Sequence, residues 1–203
     1  MLNINKRNHE GITALHMAVR GGHSDVVRFM LALPDIAVDA QDSTGRTPLH
    51  DAVRLCHVDM VEMLLVTAGA RCDLTEDCGQ TAVHYASEAP TVNGPMLSLL
   101  LASPSCVVEA RDNEGETALH VASRSNKEEA VRVLLERGRA KVDNPESIGW
   151  TALFWAVYQG HENVVRVLLQ AGANPNLTDE VGRTPIKLAS FSQRESIVQL
   201  LQL

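Results

Sequence analysis

Eight histidines are the residues of this 203-residue chain that could most readily do chemistry. A neutral imidazole ligates transition metals, and its pKa of about 6.5 suits acid–base catalysis near neutral pH. The spacing of the histidines argues against both roles. Three precede a second predicted helix of a repeated unit and four follow a threonine by three residues: His23, His57 and His161, and His16, His50, His84 and His120. Because the repeat explains all of these and leaves out only His9, we predict neither a metal site nor a catalytic histidine.

The other polar residues match no catalytic or cofactor-binding motif. The sequence contains no GxSxG, HExxH or GxxxxGK[ST] run, which a serine hydrolase, a zinc protease or a nucleotide-binding loop would need. Asp42, Asp112 and Asp179 fall in predicted turns, where an aspartate side chain bonds to the backbone two residues further on. We therefore predict that the chain is not an enzyme and carries no cofactor.

Cysteine usage and charge restrict the compartment and the partners. No CxxC pair occurs among the four cysteines, which favours reduced thiols over disulfides or zinc ligation. A formal net charge of −7 argues against a direct nucleic-acid partner, and no apolar run is long enough for a membrane helix. We expect a monomer in the cytoplasm or nucleus, or in both, with no membrane contact. The cysteines are Cys56, Cys72, Cys78 and Cys106.

Six copies of one sequence pattern must position the histidines and the turn aspartates. A glycine recurs at spacings of 34, 34, 36, 34 and 33 residues, obtained by subtracting positions. Threonine follows each glycine by two residues, an apolar residue follows the threonine by two, and alanine comes three residues later. The glycines are Gly11, Gly45, Gly79, Gly115, Gly149 and Gly182.

Each position of the pattern has a physical reason. Glycine permits the positive φ of a tight turn, and threonine caps a helix that starts next to it. Pro48 and Pro185 occupy the first helical position, where a backbone N–H has no partner within the helix. A second helix follows, with apolar residues such as Val61 and Leu65 on one side. Because one unit cannot bury this side alone, neighbouring units must stack.

The Thr-Pro-Leu-His run at residues 47–50, the period and the helix-pair pattern resemble the ankyrin repeat family over residues 8–203. The resemblance implies an all-α solenoid of six helix pairs with projecting β-hairpin loops and a concave groove. Three segments are also similar to I-kappa-B and Bcl-three-like ankyrin regulators: residues 78–86, 100–120 and 146–157. The implied function is a protein–protein interaction scaffold or adaptor that holds an extended peptide or a folded domain. The alternatives are an I-kappa-B-like regulator of Rel transcription factors and the substrate-recognition or regulatory array of an enzyme such as a ubiquitin ligase or kinase.

The same resemblance divides the chain into repeats. The third repeat carries a loop insertion at residues 89–95, and the sixth is either a cap or truncated. Because residues 2–8 resemble the segment that closes a repeat, we expect the array to continue upstream. The predicted divisions are 1–7 (tail of a preceding repeat), 8–41, 42–75, 76–111, 112–145, 146–178 and 179–203.

Partners of the family usually contact the hairpin tips and the ends of the first helices. At these places charges and aromatic residues segregate along the chain, and five of the seven aromatic residues lie between positions 150 and 191. We expect Trp150, Tyr158 and Phe191 to form an exposed patch, with Phe154 and Trp155 packed in the core. Asn176 resembles sites of asparaginyl hydroxylation in the family, and a turn-stabilising role is the alternative. The predicted partner-binding residues are Trp150, Tyr158, Phe191, Ile148, Arg183, Arg46, Arg54, Arg20, Glu88, Glu114 and Glu116.

Overall fold

A computed structural model describes residues 3–90 and 94–202 of the chain. These residues contain twelve α-helices, one π-helical turn and no β-strand. In chain order the helices are α1 (Ala14–Arg20), α2 (Ser24–Leu31), α3 (Pro48–Arg54), α4 (Val58–Glu62), α5 (Ala82–Glu88), α6 (Gly94–Ala102), α7 (Ala118–Arg124), α8 (Glu128–Glu136), α9 (Ala152–Gln159), α10 (Glu162–Gln170), α11 (Pro185–Phe191) and α12 (Glu195–Leu201). The prediction of an all-α chain with six helix pairs is confirmed. Residues 1, 2, 91–93 and 203 lie outside the described ranges, and with them part of the predicted preceding tail, part of the predicted loop insertion and the last residue of the predicted sixth repeat.

The chain forms two compact units, Met1–Val107 and Val108–Leu203. In the first unit α1 packs against α2 and α3, α3 packs against α4 and α5, and α5 packs against α6. In the second unit α7 packs against α8 and α9, α9 against α10 and α11, and α11 against α12. The core of each unit is mainly aliphatic, with side chains such as Leu15 and Leu49 in the first and Leu153 and Leu168 in the second. Each helix pair thus buries its apolar side against the neighbouring pair of the same unit.

The first helices begin at threonines that form capping boxes with the repeated histidines. In four repeats threonine Oγ1 and histidine Nδ1 lie 2.9 Å apart, and the threonine backbone N–H donates to the same nitrogen. Nδ1 therefore accepts, which places the proton of the neutral ring on Nε2. The Nε2–H of His16 donates to the backbone C=O of Arg46 at 3.1 Å, and that of His50 donates to the C=O of Gln80 at 3.3 Å. The predicted structural role of these histidines is confirmed.

Tight turns precede the first helices, where the sequence predicts hairpin loops. Each turn glycine has a positive φ, for example +77° at Gly45. The Asp42 carboxylate accepts the backbone N–H groups of Thr44 and Arg46 at 2.9 and 3.1 Å. The bond to the backbone two residues on, predicted for Asp42, Asp112 and Asp179, is present in all three turns, and a second bond to the residue four positions on accompanies it. The same pair of bonds recurs in all six turns. The sequence analysis missed the three other acceptors, which are Asn8, Glu76 and Glu146.

One second helix departs from regular α geometry. After α4 the chain continues as a π-helical turn, Met63–Thr67. The N–H of Ala70 bonds to the C=O of Leu64 six residues earlier, whereas the matching bond in the fifth repeat, from Ala173 to Leu168, spans five. The π turn therefore accommodates one extra residue without displacing the loop that follows.

Candidate functional site

The basic residues predicted to contact a partner are tied to acidic residues of their own unit. Nε of Arg20 lies 2.5 Å from Oδ2 of Asp51, and its Nη2 lies 2.7 Å from Oδ2 of Asp42. Arg46 donates to Thr44 Oγ1 at 2.9 Å and lies 3.9 Å from Asp42. Because α1, α3 and the second turn meet here, Arg20 and Arg46 act as internal links. Both side chains remain partly exposed, so their contact with a partner stays a prediction.

The hydrogen bonds between Arg20 and its acidic partners favour the ionised forms of both Arg20 and Asp42. Burial raises the pKa of the Asp42 carboxyl, but hydrogen bonds from Thr44, Arg20 and Arg46 outweigh burial and hold the pKa well below its usual range. Burial would lower the pKa of Arg20, and its bonds to Asp51 and Asp42 instead raise it. Arg54 contacts Asp51 more loosely, at 3.4 Å, and remains exposed. Of the three predicted arginines in the first unit, Arg54 is thus the one most accessible to a partner.

The predicted acidic contacts divide into exposed and buried residues. Glu88 and Glu114 are exposed, as expected. Glu116 is buried, and its Oε2 accepts from Nη2 of Arg124 at 3.0 Å. Burial raises the pKa of this carboxyl despite the neighbouring arginine. The prediction that Glu116 faces a partner is therefore wrong, because the residue after this turn glycine points into the unit.

Trp150 occupies the same position in the fifth repeat and is also buried, with 6% of its surface exposed. Its ring centroid lies 5.9 Å from Phe154, 4.8 Å from Trp155 and 5.2 Å from Tyr158. Its Nε1–H donates to Oδ2 of Asp179 at 3.2 Å. The prediction of an exposed Trp150 is wrong, since the indole fills the space between the turn and α9. Phe154 is fully buried, as predicted, while Trp155 is half-buried.

Two arginines flank this cluster. The guanidinium carbon of Arg183 lies 6.0 Å from the Trp150 ring centroid, and that of Arg124 lies 5.6 Å from the Trp155 ring centroid, both within cation–π range. Arg183 also contacts Asp179 at 2.7 Å. Burial would raise the pKa of Asp179, but its hydrogen bonds from Arg183 and Trp150 lower it. The predicted contact residue Arg183 is therefore partly exposed and held in place by an ion pair.

Four exposed apolar residues lie in the turns and at the ends of the first helices of the fifth and sixth repeats, and we call them the aromatic face: Ile148, Tyr158, Val181 and Phe191. Phe191 is 91% exposed, and Tyr158 is about half exposed. Both stand nine residues after a turn glycine, at the ends of the neighbouring helices α9 and α11. The N–H of Glu180 bonds to the C=O of Ile148 at 3.4 Å and so joins the two turns that carry Ile148 and Val181. The predicted exposure of Tyr158, Phe191 and Ile148 is confirmed, and Val181 is an addition that the sequence analysis did not select.

The same helix-end position is charged in the other repeats. It carries Arg20, Arg54, Glu88 and Arg124, and the three arginines are held in ion pairs. The aromatic face thus replaces charged residues by exposed rings in two consecutive repeats. A sequence alignment of the repeats alone identifies this replacement, although the buried support beneath Tyr158 is visible only in the structure.

Asn176 lies in the exposed connection between α10 and the sixth turn. Its backbone N–H donates to Oδ1 of Asn174 at 3.0 Å. The side chain is accessible for modification, and hydroxylation of Asn176 stays a prediction.

Neither a metal site nor a membrane span is present in the described part of the chain. No group of three or more His, Cys, Asp or Glu residues there could hold a metal ion. None of the described helices is both long and apolar enough to cross a bilayer.

Comparison with known proteins agrees with this architecture. The family model described as ankyrin repeats (3 copies) matches residues 1–76, 64–146 and 139–202. The chain belongs to the ankyrin repeat family. Ankyrin repeats are protein–protein interaction modules, and the fold is a binding scaffold. No curated protein matches the chain.

Three solved ankyrin structures illustrate the similarity. The ankyrin repeat protein EF0377 has a TM-score of 0.88 at 25% identity, covering 100% of this chain and 98% of that chain. An ankyrin repeat domain from Acinetobacter baumannii AYE has a TM-score of 0.81 at 30% identity, with coverages of 93% and 95%. The ankyrin repeat domain of Bcl-3, a member of the IkappaB protein family, has a TM-score of 0.84 at 36% identity, with coverages of 96% and 86%.

Proposed function

We propose that this ankyrin repeat protein is a scaffold or adaptor that binds a partner protein through the aromatic face of its fifth and sixth repeats. The observation that carries the proposal is the exposure of Phe191 and Tyr158 at equivalent ends of the packed helices α11 and α9, where other repeats have charged side chains. Exposed aromatic residues that stand together are typical of protein-binding surfaces. The polar residues at the rim, Arg183 and Glu180, would orient the partner.

The rings of Trp150 and Trp155, which pack against Tyr158, favour tight binding at the aromatic face. Tyr158 lies against the rings of Trp150 and Trp155, with centroid distances of 5.2 and 6.3 Å. Trp150 is in turn fixed by its hydrogen bond to Asp179. A side chain held in this way loses little conformational entropy when a partner covers it, so more of the burial energy contributes to affinity.

The test compares exposed aromatic residues in the two units. After the partner has been isolated with the wild-type chain and identified, its affinity is measured by calorimetry for Tyr158→Ala and Phe191→Ala. We expect each variant to weaken binding by about tenfold or more with a nearly unchanged melting temperature. Phe29→Ala removes an exposed ring from the first unit, with an exposure between those of Tyr158 and Phe191, and serves as the matched control, with wild-type affinity expected.

Two results would contradict the proposal. One is wild-type affinity in both variants. The other is a greater loss of affinity in Phe29→Ala than in Tyr158→Ala or Phe191→Ala.

Trp150→Ala is expected to lower the melting temperature, because it removes a buried ring. The Trp150→Ala variant therefore tests how the buried ring supports Tyr158, and it does not test the contact with the partner.

A second candidate is a regulator of the IkappaB type that binds Rel transcription factors. Its support is the 36% identity to the ankyrin repeat domain of Bcl-3 over 96% of this chain. Titrating purified Rel-family dimers into the chain tests it, and absence of binding at micromolar concentrations would reject it.

The proposal also assigns a compartment and an oligomeric state. None of the four cysteines, all in the described part of the chain, forms a disulfide, which fits a reducing compartment. We therefore place the protein in the cytoplasm, the nucleus or both, as a monomer. Fluorescence microscopy of the tagged protein and sedimentation of the purified chain test these two statements.

A further inference from the structure

A groove runs between α10 and α12, the second helices of the fifth and sixth repeats, and it shares no residue with the aromatic face. Its volume is about 470 Å³, within the range of roughly 300–1,000 Å³ that is typical of sites for small molecules. Because its walls are apolar, the groove favours a ligand with an aliphatic part. Five side chains form these walls: Leu169, Ala173, Pro175, Leu200 and Leu201.

Arg166 on α10 gives this groove a positive charge. Its side chain is exposed and forms no ion pair with any residue in the ranges 3–90 and 94–202. Gln170, about one helical turn further on, adds an uncharged amide to the lining. A guanidinium without a carboxylate partner, next to an apolar wall, is suited to a ligand that carries one carboxylate.

The groove between α8 and α10 occupies the same place one repeat earlier and has a different charge. Arg132 matches Arg166, but its Nη2 lies 2.8 Å from Oε1 of Glu128. Glu136 matches Gln170 and lines this earlier groove. The earlier groove thus has a neutralised arginine and an additional acidic side chain, which would repel a carboxylate. The unpaired guanidinium is therefore specific to the groove between α10 and α12 and is not a general feature of these repeats.

A hydrogen bond from α12 accounts for the missing ion pair of Arg166. Glu162 stands four residues before Arg166, as Glu128 stands before Arg132. The hydroxyl of Ser196 on α12 donates to Oε1 of Glu162. Because Glu162 is bound to α12 in this way, Arg166 is left to bind a carboxylate from solution.

We propose that the groove between α10 and α12 binds an aliphatic monocarboxylate, with its carboxylate on the guanidinium of Arg166 and its hydrocarbon chain against Leu169 and Leu200. The guanidinium donates two parallel hydrogen bonds to the carboxylate, which fixes the orientation of the ligand. The hydrocarbon chain leaves water when it covers the apolar walls, and this burial supplies the remainder of the affinity. The site is independent of the aromatic face and of any protein bound there.

The experiment titrates octanoate into the full isotopically labelled chain and follows its amide signals by NMR. We expect saturable shifts in α10 and α12 around Leu169, Ala173 and Leu201, with a dissociation constant of roughly 1–10 mM for a ligand of this size. Acetate lacks the hydrocarbon chain and octanol lacks the charge. Each should therefore bind at least about tenfold more weakly than octanoate.

Variants on exposed helix surfaces test the role of the charge. Arg166→Gln should weaken octanoate binding about tenfold and remove its advantage over octanol. Gln170→Glu introduces the acidic residue of the fourth repeat and should weaken binding by a similar factor, because its carboxylate competes for Arg166. Arg132→Gln removes the matching arginine of the earlier groove and is the control, with wild-type affinity expected. Melting temperatures near that of the wild-type chain show that the variants are folded.

Several outcomes would overturn the inference. It is overturned if no shift saturates below about 50 mM octanoate, if octanol binds as tightly as octanoate, or if Arg166→Gln keeps wild-type affinity. Shifts centred on the earlier groove or on the aromatic face would place the ligand elsewhere and overturn it too. A peptide that ends in Leu-Leu with a free carboxylate is the last comparison. If this peptide displaces octanoate and binds more than about tenfold more tightly, the occupant is a protein segment and not a small carboxylate.

Discussion

Buried histidines close four capping boxes, and their burial has a consequence for pH dependence. Burial lowers the pKa of His16 and His50 and lowers that of His120 to about 4. Since the unfolded chain keeps a histidine pKa of about 6.5, it binds more protons than the folded chain between these two values. The stability from a neutral buried ring is therefore complete above pH 6.5 and is lost as the pH falls towards 4.

We predict that the free energy of unfolding falls between pH 7 and pH 4.5 and that His120→Phe reduces this fall. A shift from 6.5 to about 4 corresponds to about 3 kcal/mol at its full extent. The fifth repeat already carries Phe154 at the same position, so a phenyl ring is compatible with the fold. Urea unfolding at several pH values measures the effect, with exposed His9→Asn as the control. An unchanged pH slope in His120→Phe would show that other groups cause the loss.

Within residues 3–90 and 94–202, four residues other than glycine adopt a left-handed backbone conformation. Between the paired helices Gln193 and Asn126 have φ values of +55° and +56°, where the fifth repeat has Gly160 at +83°. A side chain there costs about 1 kcal/mol or more, although asparagine tolerates the conformation better. We predict that Gln193→Gly raises the melting temperature by roughly 2 °C and that Asn126→Gly raises it less. Calorimetry shows which variant has the larger rise in melting temperature. A melting temperature of Gln193→Gly below that of the wild-type chain would contradict the prediction.

At the scale of the elements, Arg20 links α1, α3 and the second turn through Asp51 and Asp42. Asp51 is fully buried, and without Arg20 its remaining ion pair is the 3.4 Å contact with Arg54. We predict that Arg20→Ala destabilises the protein by about 2 kcal/mol, less than a fully buried pair because the arginine is partly exposed. The exposed pair Arg71–Asp73 is the control, and Arg71→Ala should leave the free energy of unfolding nearly unchanged, because water screens this pair. Equal effects in urea unfolding would contradict a structural role for Arg20.

The sequence predicts these elements better than it predicts their contacts. Glycine, threonine and histidine act within a few residues of one another, so their repetition identifies every turn and capping box. The partners of Arg20 and Trp150 lie 22 to 31 residues away in the chain. Pattern alone cannot tell whether such a side chain turns towards a neighbouring repeat or towards solvent. Accordingly Tyr158 and Phe191 were predicted correctly as exposed, whereas Trp150 and Glu116 were not.

The extra residue at the end of the second helix in two repeats shows the same limit of prediction from sequence. In the second and fourth repeats the alanine that closes the second helix follows its hydrogen-bonded leucine by six positions, one more than in the fifth. The second repeat accommodates the extra residue in the π turn, whereas the fourth has Arg139 in a left-handed conformation with φ of +52°. Spacing predicts the extra residue, and local side-chain packing selects one of the two solutions.

For the whole molecule, stability is the sum of local contributions that differ between the two units. Trp150 and Phe154 are both buried in the second unit. Each buries about 200 Å², which corresponds to about 5 kcal/mol at 25 cal/mol/Å² as an upper value. Three left-handed residues in this unit, Asn126, Arg139 and Gln193, cost about 1 kcal/mol each. The aromatic cluster outweighs this strain, while the first unit leaves Met17 and Phe29 exposed.

We therefore predict that the second unit unfolds at a higher denaturant concentration than the first. Both tryptophans, Trp150 and Trp155, belong to the second unit, so tryptophan fluorescence reports on that unit, whereas far-UV circular dichroism reports on the helices of both. In urea the fluorescence midpoint should lie above the midpoint of the dichroism signal. Trp150→Phe, which keeps a buried ring and loses the hydrogen bond to Asp179, should narrow the gap without changing the earlier part of the dichroism transition. Coincident midpoints in the wild-type chain would instead mean that the two units unfold as one cooperative structure, and that the aromatic cluster stabilises the first unit as much as the second.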